Sequence, residues 1–360
     1  MRIYLLKFFD RFIGRILLLG VLKPSSRPVS KPLSFLFIRP GGIGDAVLLV
    51  PALRAVLKSD PDVCVDVLAE RRNVSVFQLC PGLRSVACYD NFYDYFKIFF
   101  RRYDVVVDTE QWHRLSAITA RLIKSSIKVG FATNERRRCF THLVPYRHED
   151  PELVSFMNLL GPLGFEVNTA WGVPFLEVPL ADVVSCSDNV QGDKRFRVAL
   201  FPGASIPERR WGAKKFRALA QGLLAHGIGV VIVGGPQDVD VSCEVSKHLD
   251  VLDLSGKISL TQTAAVLKGC SLLICGDSGV LHLAVGLGVP TVSFFGPGIE
   301  AKWAPRGRGH RVINKNLGCS PCTRFGYTPA CGRHVECMRE IEPEAVLLEA
   351  LDVLEGTKRQ

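Results

Sequence analysis

The chain has 360 residues, of which 48% are hydrophobic and 22% charged, so it is long enough for two domains that each bury a core. This composition is typical of a globular protein and excludes a disordered chain. The net charge of +10 is spread along the sequence and suits acidic substrates or an anionic membrane surface as well as nucleic acid.

Residues 1–33 form a basic, aromatic-rich segment whose apolar residues recur largely at spacings of three and four. The pattern predicts an amphipathic helix that either lies in a membrane interface or packs on the body of the protein. The apolar run 13–22 is too short and too interrupted to span a bilayer, and no small-residue cleavage site follows it. A Pro- and Ser-rich linker, 24–32, comes next.

A strand at 34–39, a glycine-rich turn and a helix at 46–58 begin the first series of alternating elements. The turn lacks a P-loop lysine and matches only part of a dinucleotide fingerprint. Asp45 lies at the first turn of the helix, where open α/β sheets place their chemistry, although it could simply cap the helix. Strands near 63–68, 105–108 and 128–130 and a helix at 115–124 indicate a parallel sheet.

Basic residues accumulate in the loops of this first half, among them Arg114 and the run 136–138, which begins with Arg136. Each alone suits a solvated surface, but together they suit an acceptor that carries phosphates or carboxylates. A helical stretch at 151–165 and a mixed polar region at 166–195 separate this half from the next.

The second series of strands and helices contains two candidate phosphate-binding turns. After a strand at 197–200, Ser205 and the guanidiniums of Arg209 and Arg210 could bind a diphosphate. Alternatively, they could form an exposed basic helix cap. After a strand at 272–275, residues 277–279 begin a helix whose N–H groups could face a phosphate. Asp277 there could cap the helix or accept hydrogen bonds from sugar hydroxyls, and His282 could be a packed core residue.

Four of the twelve cysteines cluster near the C-terminus as C-x2-C-x8-C-x5-C, and they are Cys319, Cys322, Cys331 and Cys337. The first pair has the spacing of a structural zinc knuckle, but the second pair is wider than usual. Structural zinc, reduced thiols and disulfides all remain open, and a catalytic role is not expected. The other cysteines are scattered and several lie in apolar stretches, which indicates a reducing compartment.

Three segments, in this order, resemble glycosyltransferase family 9, the ADP-heptose:lipopolysaccharide heptosyltransferases. They are IRPGGIGDAVLLVPALRAVLK (38–58), PGASIPERRWGAKKF (202–216) and GDSGVLHLAVGLGVPTVSFFGP (276–297). The resemblance covers about residues 34–355. It implies an α/β protein of the GT-B fold, in which two facing Rossmann-like domains with parallel sheets enclose an interdomain cleft.

The resemblance also implies an inverting, metal-independent transfer of heptose from ADP-heptose to the lipopolysaccharide inner core. Asp45 would be the general base, and Ser205 and Arg209 would hold the diphosphate, with Arg209 standing where relatives often have lysine. The nucleotide-sugar pocket would be lined by Asp277, Ser278, Gly279 and His282. The residues expected to bind the acceptor are Gly42, Gly44, Arg114 and Arg136.

The implied organisation has five parts, which are an N-terminal extension at 1–33, an acceptor domain at 34–170, a linker at 171–195, a nucleotide-sugar domain at 196–342 with a Cys-rich loop at 319–337, and a C-terminal helix and tail at 343–360. No cofactor would be required, apart from a possible structural zinc. The acceptor would be a lipid A–Kdo-type glycolipid at the cytoplasmic face of the inner membrane, and no nucleic acid would be bound.

Rival interpretations are a GT-B epimerase or hydrolase and a non-catalytic nucleotide-sugar-binding protein. An NAD-dependent oxidoreductase would rest on the glycine turns alone.

Overall fold

The computed structural model describes residues 31–167, 172–190, 196–324 and 327–357 together with Asp10, Gly14, Arg15, Leu18, Pro24, Ser25 and Val29. Its contacts divide the chain into two compact units, Met1–Trp171 (unit 1) and Gly172–Gln360 (unit 2). Each unit contains a six-stranded sheet, and every strand pairing within the two sheets is parallel. The expected α/β class with two parallel sheets is therefore confirmed.

The sheet of unit 1 has the strand order β3-β2-β1-β4-β5-β6. Its strands are β1 (Ser34–Arg39), β2 (Cys64–Ala69), β3 (Ser85–Cys88), β4 (Arg102–Asp108), β5 (Lys124–Phe131) and β6 (His142–Val144). The helices of unit 1 that the structure describes are α1 (Ile43–Leu57), α2 (Phe92–Phe99), α3 (Arg114–Leu122) and α4 (Glu152–Asn158). Strands β1 and β4 are buried apolar runs at the centre of the sheet, as expected where helices cover both faces.

The sheet of unit 2 has the strand order β12-β11-β10-β7-β8-β9. Its strands are β7 (Arg197–Phe201), β8 (Gly229–Ile232), β9 (Leu252–Asp253), β10 (Leu272–Gly276), β11 (Thr291–Phe295) and β12 (His310–Asn314). Its described helices are α5 (Leu180–Val190), α6 (Ala213–Ala225), α7 (Val239–Ser246), α8 (Leu260–Lys268), α9 (Gly279–Gly286), α10 (Glu300–Trp303), α11 (Glu336–Arg339) and α12 (Pro343–Thr357).

Strand order reverses once in each sheet, between β1 and β4 in unit 1 and between β7 and β10 in unit 2. In doubly wound sheets, ligands bind at such switch points, outside the carboxyl ends of the strands. The loops that follow β1 and β4 therefore form the candidate edge of unit 1. The loops that follow β7 and β10 form the candidate edge of unit 2.

Residues 172–190 of the predicted linker and the predicted C-terminal helix lie in unit 2. The predicted linker at 171–195 contains α5, whose Cys186 is buried with its thiol 3.8 Å from the carbonyl oxygen of Gln262. The predicted C-terminal helix is α12, which contributes Val346 and Ala350 to the hydrophobic core of unit 2. Prolines 174 and 179 suggested a linker, but α5 begins just after the second of them, so they do not interrupt it.

The described residues of the N-terminal segment pack on unit 1. Asp10 is buried, and its Oδ1 accepts hydrogen bonds from the backbone N–H groups of Arg114 and Leu115 at 2.6 and 2.8 Å, where α3 begins. Leu18 belongs to the hydrophobic core of this unit. These contacts fit the packing alternative for the segment, most of which lies outside the described residues. Among the described residues, no helix combines the length and apolarity needed to cross a membrane.

Candidate functional site

An ion pair joins the two switch-point loops of unit 2. Arg209, in the loop after β7, places Nη1 2.7 Å from Oδ2 of Asp277, which directly follows β10. Both side chains are largely buried, and the Nε of Arg209 has no hydrogen-bond partner among the described residues. Burial strengthens such a charge pair, and an unused guanidinium donor marks a place where an anionic ligand could bind.

The helix that follows Asp277 presents its N-terminus at the same edge. Ser278 is the N-cap of α9, and its Oγ accepts a hydrogen bond from the backbone N–H of Leu281 at 3.3 Å. Gly279 is the first helical residue. A helix N-terminus carries unpaired N–H groups and partial positive charge, which attract anions. The structure therefore brings Asp277, Ser278, Gly279 and Arg209 together at this edge.

The Asp277 carboxylate lies against a glycine that leaves it room. A side-chain carbon at Gly298 would lie 2.1 Å from Oδ2 of Asp277, so any larger residue there would displace the carboxylate. Two further side chains, which the sequence did not single out, contact Arg209. Its guanidinium lies 6.0 Å from the ring centre of Trp303, and its Nη2 lies 3.5 Å from Oγ1 of Thr323.

His282 lies one turn further along α9 and is buried. Burial lowers the pKa of its imidazole to about 4, against the opposing attraction of the Asp277 carboxylate. The imidazole is therefore neutral near pH 7 and adds no charge to this edge. Ser205 differs from these residues because its side chain is exposed on the loop after β7.

In unit 1, Asp45 lies in the first turn of α1, at the carboxyl end of β1. The helix begins at Ile43, three residues earlier than predicted, and Gly42 is its N-cap while Gly44 lies within its first turn. Asp45 is half-buried, and among the described residues its side chain accepts no hydrogen bond from a backbone N–H that would support the capping alternative.

Arg39, which no motif of the sequence marked, is the buried cation beside Asp45. Burial alone would lower the pKa of Arg39, but the Asp45 and Glu110 carboxylates outweigh it and raise that pKa above its usual value. A side-chain carbon at Gly41, whose φ is +114°, would lie 2.9 Å from Nη2 of Arg39 and 3.7 Å from Oδ2 of Asp45. Only glycine fits this turn, which keeps the space between the two charges open.

Arg39 is itself held rigidly by the loop after β4. Its Nη1 donates to the carbonyl oxygen of Thr109 at 3.0 Å, and its Nη2 lies 3.3 Å from Oε2 of Glu110. The sequence signal that could have indicated Arg39 is its position as a charged residue at the end of an apolar strand, just before a glycine turn. Asp45 therefore faces a fixed positive charge at the switch point of unit 1.

The Arg136 side chain, which was expected to bind the acceptor, is completely buried. Its Nη2 donates to Oδ2 of Asp108 at 2.6 Å, and its Nη1 contacts the carbonyl oxygen of Glu110. Arg114 is also engaged within unit 1, since its Nη2 lies 2.6 Å from Oε2 of Glu135. The run 136–138 looked like a solvated loop because a buried partner such as Asp108 is invisible in sequence.

Arg136 is therefore expected to stabilise unit 1. Replacing Arg136 with Met would leave the Asp108 carboxylate buried without its cation, and we expect the free energy of unfolding to fall by about 3–5 kcal/mol. Replacing the exposed neighbour Arg137 with Met should change it by less than about 0.5 kcal/mol. Urea unfolding of both variants measures the difference, and equal stabilities would contradict this role for Arg136.

All twelve cysteines lie in the described part of the chain and all are free thiols. The four clustered ones line a single cavity of about 390 Å³ in unit 2, which is formed by Cys319, Cys322, Cys331 and Cys337 with their neighbours. Within the described residues, no three or more His, Cys, Asp or Glu side chains are arranged to hold a metal ion. The possible structural zinc therefore has no assembled ligand set in this structure.

The sequence model of Glycosyltransferase family 9 (heptosyltransferase) matches residues 97–328, which is more than half of the chain. The chain belongs to glycosyltransferase family 9. The resemblance inferred from the three motifs is thereby confirmed. The matched region includes Arg209 and Asp277, whereas Asp45 lies before it.

Individual relatives agree with this membership of family 9. The chain is 26% identical over 287 residues to lipopolysaccharide heptosyltransferase 3 of Escherichia coli, which covers 73% of this chain and 83% of the relative. It is similar in structure to E. coli ADP-heptose lps heptosyltransferase II, with a TM-score of 0.73 and 20% identity over 90% and 99% of the two chains. It is also similar in structure to the E. coli heptosyltransferase WaaC with ADP, with a TM-score of 0.71 and 16% identity over 89% of this chain and 99% of the other. The GT-B fold is confirmed, and this family 9 protein is a glycosyltransferase.

Proposed function

We propose that this glycosyltransferase moves a heptose from ADP-heptose onto a lipopolysaccharide inner-core acceptor, with inversion at the anomeric carbon and without a metal ion. The observation that carries the proposal is the Arg209–Asp277 pair at the N-terminus of α9. Relatives whose names include ADP-heptose and lipopolysaccharide heptosyltransferase support the choice of donor and acceptor.

Unit 2 would bind the donor through its diphosphate and sugar. The guanidinium of Arg209 and the N–H groups at the start of α9 would hold the diphosphate, with the Ser205 hydroxyl as a further donor. Negative charge grows on the diphosphate as its bond to the sugar breaks, and these fixed positive groups would stabilise that charge. Asp277 would accept hydrogen bonds from sugar hydroxyls, which can donate to a carboxylate.

Unit 1 would supply the base that activates the acceptor. The acceptor hydroxyl oxygen attacks the anomeric carbon as the bond from that carbon to the diphosphate oxygen breaks, and the hydroxyl proton passes to Asp45. Attack from the side opposite the leaving group inverts the anomeric configuration. Arg39 would hold a fixed, buried positive charge beside the Asp45 carboxylate.

The acceptor would be a lipid A–Kdo-type glycolipid, so the enzyme would work at the cytoplasmic surface of the inner membrane. Gly42 and Gly44 would leave room for the acceptor beside Asp45. Arg114 could contribute only if an acceptor phosphate displaced Glu135 from it.

Calorimetric titration with ADP, UDP, GDP and NADH in magnesium-free buffer tests the donor assignment. We expect ADP to bind and the other three to bind at least about tenfold more weakly. Preference for UDP or GDP would keep the transferase class and remove heptose as the donor sugar. Selective binding of NADH would contradict the proposed function.

A further inference from the structure

Helix α2 and its C-cap residue Phe100, in unit 1, together expose four aromatic side chains. Phe92, Tyr93 and Phe100 are 77%, 75% and 69% exposed, and Phe96 is 38% exposed. Successive helical residues differ by about 100°, so these four lie on one side of the helix. The rings of Phe92 and Phe96 are 4.3 Å apart and those of Phe96 and Phe100 are 5.8 Å apart, so they form one continuous surface. We call it the aromatic face of α2.

Other residues of α2 already provide its contact with the protein. Ile98 is buried, and Tyr95 and Phe99 pack against the hydrophobic core of unit 1. The Tyr95 hydroxyl lies 3.4 Å from Oγ1 of Thr119 on α3. A helix on the surface of a soluble protein normally turns polar residues to water, whereas α2 is apolar on both sides. An exposed apolar surface of this kind indicates an interaction site.

The charges around the aromatic face indicate the chemistry of its partner. Lys97 is exposed on the same side of the helix, and the exposed Arg102 follows two residues after Phe100. The carboxylate of Asp94 instead accepts a hydrogen bond from the backbone N–H that ends β3, at 3.4 Å. Aromatic rings flanked by cations are typical of segments that lie in the headgroup region of an anionic bilayer. The chain's net charge of +10 favours the same partner.

We propose that the aromatic face of α2 docks unit 1 onto an anionic lipid membrane, with the rings inserted among the headgroups and Lys97 and Arg102 contacting lipid phosphates. This inference rests on the proposed function in one respect: a lipid-linked acceptor requires the enzyme to reach a membrane. The docking surface is separate from Asp45, and no chemical step depends on it.

Co-sedimentation of the full chain with vesicles tests the docking surface. Wild-type protein should bind vesicles containing about one-third phosphatidylglycerol and bind pure phosphatidylcholine more weakly. Replacing Phe92, Tyr93 and Phe100 together with Ser should lower the partition coefficient about tenfold or more, because each exposed ring loses apolar burial. The matched control replaces three exposed apolar residues of unit 2 with Ser and should stay within about twofold of wild type. These control positions are Leu180, Tyr327 and Leu348.

A second variant keeps the test decisive if the triple variant folds poorly. Lys97→Glu alters only an exposed charge and should weaken binding to phosphatidylglycerol vesicles severalfold at low salt. If the triple variant and Lys97→Glu both bind vesicles as strongly as the wild-type protein does, the proposal is overturned. Membrane contact would then be assigned to residues 1–33. The proposal is also overturned if the wild-type protein binds no vesicles but forms a dimer that the triple substitution abolishes. The aromatic face of α2 would then contact a second copy of the chain.

The docking surface and the proposed function fail in different assays. With a detergent-dispersed acceptor, the triple variant should release ADP from ADP-heptose at the wild-type rate, since its substituted residues lie outside the catalytic machinery. Loss of vesicle binding with retained transfer therefore supports docking. Transfer by a wild-type protein that binds no vesicles would leave the proposed function standing and overturn the docking surface.

Discussion

Replacing Asp45 with Asn should lower kcat about 10²–10⁴-fold, because the acceptor hydroxyl would lose the base that takes its proton. The amide keeps the size of the carboxylate, so the turn between Gly42 and Gly44 should keep its shape. Affinity for ADP should stay within about twofold of wild type, since the groups proposed to bind ADP belong to unit 2. Initial rates of ADP release at saturating donor and acceptor measure the effect.

The matched control is Asp240→Asn, which removes another carboxylate from the first turn of a helix, α7. Asp240 is exposed, and its variant should retain wild-type kcat. A similar loss in both variants would point to a general effect on helix stability. Asp45→Asn with activity within about threefold of wild type would remove Asp45 as the base and favour a non-catalytic role for the glycine turn.

Replacing Arg209 with Ala should raise the Kd for ADP about 10–100-fold. The variant loses the charge-assisted hydrogen bonds expected with the diphosphate and leaves the Asp277 carboxylate without its cation. Arg209→Lys should fall between wild type and Arg209→Ala, because lysine restores the charge without the planar fork. Calorimetric titration with ADP in magnesium-free buffer measures all three proteins.

Lys214→Ala provides the control for Arg209. Lys214 is an exposed cation five residues further along, in α6, and its removal changes the net charge by the same amount. Its variant should bind ADP within about twofold of wild type. If both alanine variants lose affinity equally, the effect of Arg209 would be long-range electrostatics, and the specific contact with the diphosphate would be contradicted.

Local sequence signals predicted the turns that carry the candidate site. The strand at 272–275 and the helix after residue 277 were predictable because glycine and proline mark their ends and their apolar runs are uninterrupted. β1 has the predicted bounds, Ser34–Arg39. Asp45 and Asp277 could be placed at the carboxyl ends of strands because alternating strands and helices imply a parallel sheet.

Tertiary contacts account for what the sequence did not predict. Arg209 and Asp277 are 68 positions apart, and only the adjacency of β7 and β10 brings them together. Arg136 follows β5, and its burial depends on Asp108 at the end of the neighbouring strand β4. The periodicity of α2 is compatible with a helix, but its pattern does not reveal that an aromatic side stays exposed.

Acceptor-dependent release of ADP tests most directly whether this chain is a metal-independent glycosyltransferase that uses ADP-heptose. The measurement compares ADP released from ADP-heptose with and without a Kdo-containing glycolipid, in buffer containing EDTA. We expect release of ADP that requires the acceptor and yields one glycosylated product per ADP. Equal release without acceptor would indicate a hydrolase or epimerase, and no release under either condition, despite tight ADP binding, would indicate a non-catalytic nucleotide-sugar-binding protein.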